Sequence, residues 1–146
     1  MNIRRYIMLL VTIMTATILS ASPMLKFDEE AYIAEQHAFI LKEVKCLSPE
    51  EAKTFFTIYD EMRCKLRKVF DKMRQDRRKK LSGDEAYRDL IETRDNDGLM
   101  LKQIEQRYHK KMLKVLSPKK VYKALVAADK FDKMKFHEMN KNHQGR

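Results

Sequence analysis

Tryptophan is absent from the 146 residues, and glycine and proline occur only three times each. Few turn formers leave little material for a fold of short strands and tight turns. Period-2 alternation is also missing, and no glycine turn joins two β-branched runs, so a sheet is excluded. Cysteine occurs twice, without a CxxC pair. The chain has no GxSxG elbow, glycine-rich phosphate loop, HExxH or HxxxH pair, or cysteine–histidine signature. Catalytic residues, a cofactor and a metal site are therefore not expected, and the chain is read as a non-enzyme.

What is present is charge: 36% of the residues are Asp, Glu, Lys or Arg, with a net +10. That composition suits long amphipathic helices. The N-terminus has the order of a secretory signal. Arg4 and Arg5 form a basic region, Tyr6 to Leu19 an apolar one, and Ser20, Ala21 and Ser22 a small-residue stretch. The apolar run is short of the roughly 20 residues a bilayer span needs. Residues 1–22 are thus expected to be a cleaved signal peptide, with the cut uncertain by a few residues near Pro23. Its removal leaves 29 basic and 21 acidic side chains, net +8. No stable membrane anchor is expected afterwards. A basic chain attracts anionic partners, but export makes nucleic acid a poor one.

Helical periodicity organises the rest into four helices. The first is expected over about Asp28 to Lys45, with one stripe of Ile33, His37, Ile40, Val44 and Leu47. A second stripe, Ala31, Ala34, Ala38 and Leu41, implies a further packing neighbour. The next runs from Pro49 to about Leu81. Its stripe Ala52, Phe55, Tyr59, Met62, Leu66, Val69 and Met73 advances by 3, 4, 3, 4, 3, 4, which is a heptad seam. Ser82 with Glu85 predicts a capping box before a third helix over Asp84 to about Val115, striped by Tyr87, Leu90, Arg94, Leu101, Ile104, Tyr108, Met112 and Val115. Asp95-Asn96-Asp97-Gly98 predicts a kink or fraying within it. The last helix starts at Pro118, carries Val121, Leu125, Ala128, Phe131 and Lys135, and fades by Met139. Residues 140–146 are expected to be disordered. Cys46 falls at a turn and Cys64 about 16 residues into the second helix, roughly 24 Å along its axis. A disulfide needs Cα atoms within about 7 Å, so free thiols or an intermolecular bridge remain. Cys64 is expected to be partly packed.

Two helix starts repeat a pattern: Leu47-Ser48-Pro49-Glu50-Glu51 and Leu116-Ser117-Pro118-Lys119-Lys120. Serine caps exposed N–H groups, and proline suits the first helical position because it has no N–H to leave unpaired. Glu51, three residues after Ser48, completes a capping box.

This pair resembles the two LTxxQ motifs of the Spy/CpxP family of periplasmic helical proteins. Leu47 to Glu61 is similar to the variant seen in Bacteroidetes envelope proteins. Leu47, Ser48, Pro49, Glu51, Leu116, Ser117, Pro118 and Lys120 carry the resemblance, with Glu51 and Lys120 in place of the family's glutamines. The resemblance implies a periplasmic location and a cradle-like antiparallel homodimer of long helical hairpins. It also implies an ATP-independent chaperone or stress-response role toward unfolded or partner polypeptides. The alternative is a sensor subunit docking an anti-sigma factor or membrane sensor, and a metal-responsive version would draw on His109 and Met112.

From Arg63 to Lys80 the second helix carries ten basic residues against Asp71 and Asp76. They are either a surface for acidic or unfolded polypeptide or a solvated face whose cations suit the helix C-terminal dipole. The partner-binding candidates are Arg63, Arg67, Lys68, Arg74, Arg77 and Arg78. Of seven methionines after residue 22, Met62, Met73 and Met112 fall on seams. Met100, Met134 and Met139 are candidates for adaptable exposed contact.

Overall fold

The computed structural model describes residues 28–144. The expected signal peptide lies outside them. Among the described residues the chain is all-α, with four helices and no strand. They are α1 (Glu29–Glu43), α2 (Pro49–Asp76), α3 (Asp84–Leu113) and α4 (Pro118–Gln144). The chain divides after Ala31. In the first unit the Asp28 carboxylate accepts from the Ala31 N–H at 3.0 Å, a cap for the start of α1. The second unit begins at Tyr32 and holds the core and the site described below.

The helix starts follow local chemistry. At α2 the Ser48 side chain accepts from the Glu51 N–H at 3.2 Å, and Glu51 accepts from the Ser48 N–H at 2.8 Å. The predicted capping box is therefore complete, with Pro49 at the first turn. At α4 the Ser117 carbonyl accepts from the N–H groups of Lys120 and Val121. The box expected at Ser82 does not form. Gly83 takes the N-cap position with φ +81°, and no side chain caps the helix. That backbone angle favours glycine, and it leaves Ser82 one residue too early to reach the first turn.

Helix α2 and helix α3 form an antiparallel hairpin. Glu61 meets Tyr108 and Lys72 meets Asp97, so each step forward on α2 is a step back on α3. Helix α1 also runs antiparallel to α2, through His37 with Asp60 and Gln36 with Arg63. The core gathers at the end of the hairpin where all four helices meet. Ile40 and Val44 come from α1, Phe55, Tyr59 and Met62 from α2, and Tyr108 and Met112 from α3. Leu116 precedes α4, which adds Val121, Ala124, Ala127 and Ala128. The α2 seam is legible here: Ala52, Phe55, Tyr59, Met62 and Val69 are buried, with Leu66 and Met73 half-buried.

Several expectations are corrected. The second stripe of α1 does not pack, since Ala34, Ala38 and Leu41 are exposed; the buried polar residue on α1 is Gln36. Helix α2 stops at Asp76 rather than near Leu81. Helix α3 ends at Leu113, and its stripe is buried at Tyr108 and Met112 and half-buried at Leu90, Leu101 and Ile104, while Tyr87, Arg94 and, past the helix end, Val115 are exposed. The run Asp95–Gly98 stays helical without fraying, because Asp97 is buried and takes the Lys72 ammonium on both carboxylate oxygens at 2.7 and 2.8 Å. Helix α4 continues through Gln144, past the predicted fade at Met139. Cys46 and Cys64 are free and exposed, so Cys64 is not packed.

Candidate functional site

The two Leu-Ser-Pro segments come together. Leu116 is buried and Leu47 packs against the same core. Beside them the Lys120 ammonium donates to both oxygens of Glu51, at 2.6 and 2.7 Å. Glu51 and Lys120, each three residues after the serine of its Leu-Ser-Pro segment, are thus an ion pair linking the starts of α2 and α4. The Lys120 hydrogen bond, and then the Ser48 N–H, hold the Glu51 carboxyl below the usual carboxylate range. A carboxyl depressed in the folded state adds stability that is fully present above its unfolded pKa. That stability is lost as pH falls through the folded value. Glu51→Gln should therefore flatten the fall in stability as the pH drops below the ordinary glutamate value of about 4.3. In thermal melts at neutral pH, Glu51→Gln and Lys120→Gln should each lower the midpoint. The double variant should lose less than the two single losses added. Additive losses would show that the pair is not coupled.

The basic stretch of α2 forms one wall of an open groove of about 800 Å³. Arg63, Arg67, Phe70, Arg74 and Arg77 line it and recur at steps of 4, 3, 4 and 3, so they share one face of the helix. Met62 and Leu66 supply apolar floor from the same helix. Helix α3 contributes Lys102, Glu105 and His109, and α4 contributes Tyr122, Leu125, Val126, Asp129 and Asp132. Phe70 (49% exposed), Tyr122 (70%) and Val126 (46%) leave large apolar area open beside the cations.

Arg63 anchors the upper end. Its guanidinium donates to the Gln36 amide oxygen and stands over the rings of Tyr32 and Tyr59, at 5.1 and 5.9 Å from their centroids. The Gln36 amide nitrogen donates to Asp132 at 2.6 Å, and the Tyr32 hydroxyl donates to the same carboxylate oxygen at 2.6 Å. Burial, then the Asp132 carboxylate, pushes the Tyr32 hydroxyl up to about 12. Burial raises Tyr59 as well. Both phenols stay neutral at ordinary pH, Tyr32 remains a donor to Asp132, and Arg63 is held by Gln36. Farther along, Arg74 lies 3.7 Å from Asp71 and Lys102 2.9 Å from Glu105. Exposed pairs of this kind hold side chains only weakly.

Of the partner-binding candidates, the groove brings together Arg63, Arg67, Arg74 and Arg77. Lys68 and Arg78 do not line it, and the exposed Met100 and Met134 also lie outside it. Helix α4's Tyr122, Val126 and Asp129 were not anticipated. They sit one residue after core positions Val121, Leu125 and Ala128, so the core stripe itself was the available signal.

A second cavity of about 400 Å³ lies in the hairpin between α2 and α3, lined by Phe70, Met73, Leu90, Ile91 and Asp76 among others. Asp76 is buried. Lys79 pairs with one of its oxygens at 2.6 Å, while Oδ2 has no hydrogen-bond partner and lies 3.8 Å from Lys72. No cluster of three or more His, Cys, Asp or Glu side chains able to hold a metal occurs among the described residues. No helix among them is long and apolar enough to cross a membrane. No protein-family model, curated protein or solved structure matches the chain.

Proposed function

We propose that this is an exported, Spy/CpxP-like helical protein that binds polypeptide in the α2–α3–α4 groove without ATP, in a chaperone-like or stress-response role. The observation that carries the reading is the mixture in one groove. Arginines from α2 stand beside the exposed rings of Phe70 and Tyr122 and the side chain of Val126. Cations speed encounter with acidic segments through a field screened by salt. Apolar side chains then supply short-range contact once water is displaced. Arginine adds stacking on aromatic groups of the visitor. Signal-like residues 1–22 and the paired Leu-Ser-Pro segments support the cellular setting of the proposal.

The test is suppression of aggregation of an unfolded model client by the protein lacking residues 1–22. Suppression should be strong at low salt and weaken as ionic strength rises past the level where the Debye length is about 8 Å. Arg74→Glu/Arg77→Glu should lose most of it while keeping its helical circular dichroism. Equal suppression by that variant, or none by the parent, contradicts the proposal.

The acids on the α4 side favour a second reading, docking of one specific partner. Asp129 and Asp132 restrict which charge patterns fit. A pull-down yielding one stoichiometric protein rather than many clients distinguishes the sensor role.

A further inference from the structure

We infer that the groove is shaped for an amphipathic α-helix, with its acidic edge along α2 and its basic edge toward α4. The inference rests on the reading that the groove takes polypeptide, and it narrows the class of occupant. The α2 wall is a row: Arg63, Arg67, Phe70, Arg74 and Arg77 advance by 4, 3, 4 and 3 residues. Fourteen steps of helical rise, from Arg63 to the C-cap residue Arg77, make this row about 21 Å long. A helix lying alongside presents side chains at the same steps, the seam geometry of packed helices. A strand presents one side at a constant repeat of about 6.7 Å. That repeat does not follow a row whose cations are interrupted by Phe70.

Charge then sets the orientation of the faces. The row of cations comes from α2, and Asp129 and Asp132 come from α4, while on α3 Lys102 and Glu105 offset each other as an ion pair at 2.9 Å. A uniform polyanion would satisfy the first wall and meet the Asp129 and Asp132 carboxylates on α4. A helix with acids on one edge, a base on the other and an apolar row between complements the α2 and α4 walls, with the apolar row over Phe70, Tyr122 and Val126.

The probe is a labelled fifteen-residue peptide with glutamates at its first, fifth, twelfth and fifteenth positions and leucine at its eighth. A second apolar row and a lysine flank complete it, and the reversed order covers both chain directions. The control has the same composition, permuted to destroy the spacing. Anisotropy at low salt should show the patterned peptide binding about tenfold tighter than the control, with helical circular dichroism appearing on binding. Arg74→Glu/Arg77→Glu should lose this preference. A peptide with lysine at the two matching positions should restore binding to that variant. Equal binding of patterned and permuted peptides overturns the helix inference and leaves polypeptide binding standing. Binding of neither peptide, with client aggregation still suppressed, overturns it in the same way. If neither peptide nor client binds, both readings fall. A heparin oligosaccharide that binds more tightly than the patterned peptide and displaces it overturns the inference in favour of a polyanion site.

Discussion

Phe55→Ala is expected to lower the unfolding free energy by about 3–5 kcal/mol, the range for emptying a buried phenylalanine site. Phe55 is fully buried in the cluster to which all four helices contribute. Its ring stacks on Tyr59 at 5.4 Å between centroids and meets Phe56 edge-on at 5.6 Å. Truncation removes burial and both ring contacts, and helices stapled from several sides collapse poorly into the void. A domain of this kind has about 5–15 kcal/mol in total, so the variant should be marginal at 37 °C. Urea unfolding followed by circular dichroism reads the loss. Met112→Leu is the volume-conserving control and should stay within about 1.5 kcal/mol. A Phe55→Ala loss below about 1 kcal/mol would mean that the core is not organised around this ring.

Gln36 gives the second large effect. It is fully buried on a helix whose neighbouring alanines are exposed, and its amide bridges Arg63 and Asp132. Gln36→Ala should lose about 2–4 kcal/mol, from unmade hydrogen bonds to charged groups and a small cavity. Gln36→Leu fills the volume but not the hydrogen bonds, so it isolates the polar share. Both variants also release Arg63 from its anchor. Client binding should weaken more than it does for Ile40→Val, a core change of comparable burial that leaves the network intact. If Gln36→Leu matches the parent in stability and binding, the network has no organising role.

Much of the architecture was legible because it depends on local spacing. The heptad steps from Ala52 to Met73 place successive side chains on one face whatever the partner, and the Ser48 box needs only three residues of sequence. What was not legible depends on distant residues. Asp97 sits in a run that looks like a solvated break. Lys72, 25 positions earlier, brings it inside, and nothing local announces that pairing. Gln36 is the same case on α1, where the alanine stripe advertised a packing face that found no neighbour. The groove was half legible. Density of arginine on α2 flagged one wall, but Tyr122, Val126 and Asp129 became a wall only through the register of α4 beside α2. Lys68 and Arg78 belong to the same basic stretch but do not line the groove. Charge density identified the helix, whereas the 4, 3, 4, 3 spacing distinguishes the face.

Visitors should bind in the groove rather than at any exposed apolar spot. Photo-crosslinking tests this most directly. A photoreactive phenylalanine derivative replaces Tyr122, in the groove wall, and in separate proteins replaces Leu113 or Tyr87, which are exposed outside it. Each is irradiated with an unfolded client at low and high salt. Client adducts should concentrate at position 122 and diminish with salt. Adducts equal at all three positions, or insensitive to salt at position 122, would contradict binding in the groove.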